Sequence, residues 1–379
     1  MSISRRKFTA GLLALGALSQ FKTAALAKAV SASGLKAAFQ DDFYIGTALG
    51  ADTLTEHDTD LLALIAREFN SITAENAMKW EEIRPELDSW EWGVADKFVD
   101  FGVRNDMYIV GHTLVWHSQV PKPVFLDSKG QPLKREPLLA RMDEHIRTLV
   151  SRYKGKIQAW DVVNEAVEDD GKFRQSPWYK TTGTAFIEQA FRTAHEVDPK
   201  AHLMYNDYNM AVPAKRDGVV AMVKELKKKG VPIHGIGMQG HIGIDTPDLA
   251  AIEDSILAFA ALGVKVHFTE LDIDVLPSVW GLTGAEITTR FEYKPERDPY
   301  QDGLPADMEE KLAQRYEALF KLFIKHRDKI ERVTTWGTGD GDSWLNNFPI
   351  PGRTNYPLLF DRKHQPKAAY HRLINLSKR

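Results

Sequence analysis

The feature that most constrains the fold is an alternation. Short apolar runs, rich in β-branched and aromatic residues, are separated by longer segments of helical period. The runs are Phe43 to Ala48, Phe69 to Thr73, Met107 to Leu114, Ile157 to Asn164, His202 to Asn206, Gly235 to Gln239, Val264 to Glu270 and Arg332 to Trp336. Each is bounded by turn formers or polar residues, as a buried strand should be. The segments between them read as helices, such as Ala214 to Lys229 and Met308 to His326. In the first of these, Val219, Val220, Val223 and Leu226 recur at helical spacing opposite a lysine-rich face, and Gly230 and Pro232 end it. Strands that are apolar almost throughout belong in a parallel sheet covered by helices. Eight strand–helix units therefore predict an α/β fold, a single (β/α)8 barrel of the TIM type. No Pro/Gly/Ser-rich linker or low-complexity tract divides residues 35 to 379, so residues 28–379 read as one domain. Length beyond the compact barrel goes into extended loops after the seventh and eighth strands, Pro277 to Asp307 and Gly337 to Leu358.

Residues 1–27 read differently. Arg5, Arg6 and Lys7 form a basic patch, Ala10 to Leu18 is a short apolar run, and Ala25-Leu26-Ala27 offers a small-x-small cleavage site. This is the pattern of a cleaved signal peptide, too short to span a bilayer as a stable helix. Ser4-Arg5-Arg6-Lys7-Phe8 further resembles a twin-arginine signal, so the protein is expected to be exported, to a periplasm or beyond the cell. Loss of the four basic side chains in that segment would take the formal net charge from −3 to −7. Such a charge argues against a nucleic-acid partner or, after cleavage, an anionic membrane surface. Cysteine is absent, which excludes disulfides, thiolate nucleophiles and Cys-ligated metals.

Function in a (β/α)8 barrel sits at the C-terminal ends of the strands. Those ends carry Glu75, Asn76 and Lys79, then His112, Trp116, His117 and Gln119, then Asn164-Glu165 and Asn206-Asp207-Tyr208. Gln239-Gly240-His241, Glu270-Leu271-Asp272, Trp336 and Trp344 complete the rim. A lone His or Asn at a strand end usually satisfies local backbone, but carboxylates, amides, imidazoles and indoles at so many ends together point to a site. Glu165 and Glu270 each close a very apolar strand, where partial desolvation and neighbours can set two carboxyl groups apart in proton affinity. Glycoside hydrolysis requires such a pair: about 5–5.5 Å of separation gives retention, and a wider gap gives inversion. His241 is expected to hydrogen-bond Glu270, with Asp272 orienting His241; a carboxylate so bonded stays ionised, as a nucleophile must. Asn164 is placed to bond a sugar 2-hydroxyl. Trp116, Trp336 and Trp344 provide flat apolar faces suited to pyranose rings.

Seven segments now carry a resemblance. They are Phe69–Glu86 (FNSITAENAMKWEEIRPE), Gly111–Pro121 (GHTLVWHSQVP), Trp160–Ala166 (WDVVNEA), Tyr205–Asn209 (YNDYN), Gly237–Ile242 (GMQGHI), His267–Ile273 (HFTELDI) and Thr335–Leu345 (TWGTGDGDSWL). In this order and spacing the chain resembles glycoside hydrolase family 10, the endo-xylanases, from about Phe43 to Leu373. The resemblance implies a retaining endo-hydrolase of β-1,4-xylosidic bonds, with Glu165 as acid/base, Glu270 as nucleophile, and His241 and Asp272 behind it. It also implies glycone contacts from Glu75, Asn76, Lys79, His112, Trp116 and Gln119. Asn164, Gln239, Trp336 and Trp344 would line the cleavage subsite, and Tyr208 would face the leaving group. Trp344 would crowd the space a glucose CH₂OH needs. Xylan and xylo-oligosaccharides are the implied partners of a monomer that needs no cofactor and no metal. The Pro277–Asp307 loop is expected either to shape the aglycone side of the cleft or to cover the seventh helix.

Three rival readings remain at this point: an endoglucanase or mannanase of the same barrel clan, a metal-dependent barrel enzyme, and a non-catalytic sugar binder. Against the second, no His-x-His or carboxylate cluster has ligand spacing, and Lys79 would sit awkwardly beside a cation. Against the third, both glutamates are present.

Overall fold

The computed structural model describes residues 34–56, 58–279 and 288–376. The proposed signal segment lies outside them, as does part of the Pro277–Asp307 loop. The strands, in chain order, are β1 (Tyr44–Leu49), β2 (Ser71–Ala74), β3 (Tyr108–Val115), β4 (Ala159–Asn164), β5 (His202–Asp207), β6 (Gly235–Met238), β7 (His241–Gly243), β8 (Lys265–Asp274) and β9 (Ile330–Thr335). Their order is β6-β5-β4-β3-β2-β1-β9-β8, and a further parallel pairing of β6 with β8 closes the ring. Each predicted run supplies one barrel strand. The short β7 was not predicted; it branches onto the upper half of β8, placing His241 beside Asp272.

Helices cover the outside because each has one apolar stripe. In Ala306–Lys325 that stripe is Leu312, Ala313, Tyr316, Leu319, Phe320 and Phe323, all buried, at the spacing that lines one helical face. Phe323 packs on Phe268 of β8 with ring centroids 4.1 Å apart. Burial of each large side chain of this kind contributes about 1.5–3 kcal/mol. Helix Pro213–Lys228 begins on a proline at N1, where the missing N–H costs nothing, and buries Val219, Met222, Val223 and Leu226.

The loop after β9 is held from below. Lys367 Nζ donates to both oxygens of Asp340, at 3.0 and 2.8 Å, and Leu358 N donates to Asp340 Oδ1 at 2.9 Å. Burial nevertheless pushes the Asp340 carboxyl up to about 6, with Lys367 opposing. Tyr316 donates its hydroxyl to the Pro357 carbonyl at 2.6 Å, joining the loop to the helix beneath. The described part of the loop before that helix packs on the same region, with Phe291 N donating to Pro349 O at 2.9 Å. No helix among the described residues is long and apolar enough to cross a membrane.

Candidate active site

A cleft of about 890 Å³ opens at the C-terminal ends of the barrel strands. Glu75, Asn76, Lys79, His112, Trp116, Gln119, Asn164, Glu165, Tyr208, Gln239, His241, Glu270, Trp336 and Trp344 all line it. Asp272 stands behind His241.

Glu165 follows the last residue of β4 and adopts φ 56°, in the left-handed region that residues other than glycine seldom occupy. Strain of this kind persists only where the surroundings hold it. Here the Glu165 N–H donates to the Asn206 carbonyl at 2.9 Å, and its own carbonyl accepts from Arg174 Nε at 2.7 Å. The turn directs the carboxylate into the cleft, where Oε2 accepts from Trp116 Nε1 and Oε1 from Gln239 Nε2, both at 2.9 Å. Trp116 is thus a donor to Glu165 as well as a wall: it is buried, with the Lys79 ammonium 5.0 Å from its ring.

Glu270 lies within β8, where the register against β9 breaks between Phe268 and Leu271. Its N–H donates to the Gln239 carbonyl at 2.7 Å. Asn206 Nδ2 donates to Oε1 at 2.7 Å, and His241 Nε2 stands 3.1 Å from Oε2. Burial disfavours the charged carboxylate, yet His241, the nearby His112 and Asn206 together outweigh it, and Glu270 is held below the usual carboxylate range.

His241 is itself held between two acids. Its Nδ1 is 3.0 Å from Asp272 Oδ1, a charge contact that lies off the hydrogen-bond direction. Burial would lower its pKa, but Asp272 and Glu270 raise it to about 10. Asp272 Oδ2 accepts from Trp344 Nε1 at 2.8 Å. This fixes an indole whose ring lies 4.8 Å from His241 and stacks on Phe348 at 5.2 Å.

An amide bridge links the two sides. Asn206 Nδ2 also reaches Asn164 Oδ1 at 3.0 Å, while Asn206 Oδ1 accepts from the Thr269 hydroxyl at 2.6 Å. Because Asn206 must turn its NH₂ to Glu270 and its oxygen to Thr269, Asn164 must offer oxygen to it. The opposite Asn164 rotamer would improve a contact with Trp116 but set two NH₂ groups face to face.

The remaining predicted residues are placed around this centre. Lys79 Nζ donates to Asn76 Oδ1 at 2.9 Å; burial lowers its pKa, against the pull of Glu75, Glu270 and Glu165. Glu75 is raised by burial, with Lys79 opposing. His112 Nδ1 pairs with Asp161 at 2.9 Å and meets Trp336 edge to face at 5.4 Å. Tyr208 accepts from Arg174 Nη2 at 2.7 Å, and Lys215 Nζ lies 3.2 Å over its ring.

Sequence reasoning placed Asn206 on the rim without giving it a role, and passed over Thr269 and Asp161, and also Phe348 and Arg290 on the rim. Asn206 had a signal, since it ends a strand two residues before Tyr208. Thr269 and Asp161 depend on which strand lies beside which, and Phe348 and Arg290 on how the loops after β8 and β9 pack together.

A sequence profile described as Glycosyl hydrolase family 10 matches residues 34–376. The chain belongs to that family. Among the relatives of this family 10 enzyme is endo-1,4-beta-xylanase A of Xylanibacter ruminicola, 49% identical over 334 residues, covering 88% of this chain and 90% of the relative. An endo-1,4-beta-xylanase of Geobacillus stearothermophilus is 44% identical, covering 91% and 99%. A solved GH10 endoxylanase retrieved from a sugarcane soil metagenome is 64% identical, with a TM-score of 0.88 over 90% of this chain and 100% of that one. The enzyme is therefore a glycoside hydrolase on a (β/α)8 barrel.

Proposed function

We propose that this family 10 enzyme is an endo-1,4-β-xylanase that acts on xylan and xylo-oligosaccharides with retention, by double displacement. The observation that carries the reading is Glu270, a carboxylate kept ionised between Asn206 and His241 inside the sugar-sized cleft. Its relatives' names supply the substrate. Glu270 attacks the anomeric carbon and forms the glycosyl-enzyme bond. Glu165 gives its proton to the departing oxygen and then takes one from the water that completes the reaction. Trp116 and Gln239 hold Glu165 in place across both steps, and Asn164, beside it, faces the 2-hydroxyl.

Glu75, Asn76, Lys79, His112 and Gln119 receive the glycone sugars, with Trp116 as a wall. Gln239, Trp336 and Trp344 enclose the sugar at the cleavage point, and Tyr208 meets the leaving-group side. Asp272 fixes His241 and Trp344 together, so the position of the indole that would exclude a CH₂OH is coupled to the charge on the nucleophile's partner. The enzyme acts as a monomer, exported on the twin-arginine signal in residues 1–27.

Proton NMR of the first-formed reducing ends tests the mechanism: β-anomer is expected, and early α-anomer would overturn it. Glu270→Ala should remove nearly all turnover. Glu165→Ala should slow natural xylan far more than aryl xylosides with good leaving groups, and equal loss on both would refute its role. Turnover of carboxymethylcellulose at a rate matching xylan would refute the substrate assignment. Arg5→Lys with Arg6→Lys should retain the protein inside the producing cell; undiminished export would refute the signal type.

A further inference from the structure

A second polar cluster sits at the opposite end of the barrel from the cleft. His202 opens β5, His267 lies near the start of β8 and Glu331 near the start of β9; their ligand atoms all fall within 4.8 Å of one another. His202 Nε2 and His267 Nε2 are 3.2 Å apart, and Glu331 Oε2 is 4.0 Å from His267 Nε2. Gly235, the first residue of β6, leaves the room in which the two rings meet. A Cβ there would stand 2.6 Å from His202 Nε2 and 2.8 Å from His267 Nε2.

Two nitrogens bound to one tetrahedral ion at about 2.0–2.1 Å lie about 3.3 Å apart, close to the spacing of these rings. For both Nε2 atoms to bind one ion, the ring that carries the Nε2 hydrogen must move it to Nδ1. Glu331 supplies a negative charge and, with 27% of its side chain exposed, a way in from solvent.

Two cations oppose a metal here. Lys265 Nζ is engaged by the Asp328 carbonyl at 3.0 Å, and Arg332 Nη1 by the hydroxyls of Thr73 and Thr334 at 3.2 and 2.7 Å. Their charge weakens the site without blocking it. We propose that His202, His267 and Glu331 form a zinc-type divalent metal site at the N-terminal end of the barrel, with water completing a tetrahedral shell. It ties the starts of β5, β8 and β9 together and takes no part in hydrolysis. The ligands come from three strands, with the histidines 65 positions apart, so no local spacing announces them.

The test is titration of the metal-stripped full-length protein with Co²⁺ at neutral pH, followed by visible absorption, equilibrium dialysis and thermal unfolding. One bound equivalent with the intense bands of a tetrahedral N/O site is expected, with an unfolding temperature that rises with free Co²⁺ by mass action. His202→Gln and Glu331→Gln should each weaken binding at least about tenfold, the loss that even an outer-shell partner causes. Both should leave xylan hydrolysis unchanged. Absence of tetrahedral bands would overturn the proposal. So would unchanged affinity in His202→Gln, which would place the ion elsewhere and leave the two rings as a plain hydrogen-bonded pair.

Discussion

Replacing Asn206 with alanine removes one of the groups that keep Glu270 charged, without touching either glutamate of the cleft. The substitution removes the 2.7 Å bond to Glu270 Oε1 and leaves the Thr269 hydroxyl and Asn164 oxygen without their partner. A hydrogen bond to a charged group is worth about 1.5–3 kcal/mol, and about 1.4 kcal/mol corresponds to one pKa unit or a factor of ten. Glu270 is held below its ordinary value in the intact site, by His241 and His112 ahead of Asn206, so its loss of this donor should move the acid limb of kcat/KM upward by at most about 1–2 pH units. Below that limb, kcat/KM should fall by up to roughly 10- to 100-fold. The plateau should fall less, because attack neutralises the carboxylate and the lost bond served the ground state as much as the transition state. Initial rates on an aryl xylobioside from acid to neutral pH supply the profile, and thermal unfolding confirms that the variant is folded. Should the alanine variant not fold, Thr269→Val removes only the hydroxyl that orients Asn206 and should give a smaller shift in the same direction. An unmoved acid limb in a folded variant would show that Asn206 does not set the charge on Glu270.

Three further outcomes follow from the same geometry. His241 is raised from 6.5 to about 10, so its contribution to stability is fully present below pH 6.5 and is lost as pH rises through about 10. The unfolding temperature should fall across that window and fall less in His241→Gln, and equal slopes in the two proteins would refute the pairing. At Gly237, a Cβ would meet Asn206 Oδ1 at 2.3 Å and Thr269 Cγ2 at 2.8 Å. Gly237→Ala should therefore cost about 1–3 kcal/mol by overpacking and lower kcat/KM by displacing Asn206, measured by urea unfolding and steady-state rates. Lys215 and Asp207 pair at 2.8 Å with neither side chain exposed. Lys215→Met should cost about 3–5 kcal/mol by leaving Asp207 buried and unpaired, and adding Asp207→Asn should recover much of it in the same urea titration.

The eight barrel strands and the two glutamates that meet in the cleft were legible along the chain because their signals are local. A doubly buried strand must be apolar at both parities, and a carboxylate at its end stands out against that background. Trp160 through Glu165 shows both features within a few residues. The same holds for helix Pro213–Lys228, whose stripe and stop signals are adjacent in sequence.

Tertiary structure alone decided what faces what. Nothing near Asn206 in sequence says that its amide bridges Glu270 on β8 to Asn164 on β4, because that follows from closure of the ring, in which β5 lies beside β4 and the β6–β8 pairing sets β8 one strand beyond it. His202 and His267 are equally silent in sequence, yet they touch because a glycine on the strand between them leaves space. Chain pattern determines which surfaces must be buried, since the free energy of burial depends on residue type. Hydrogen bonds and charge pairs depend on distance and direction, and these exist only once the strands have met.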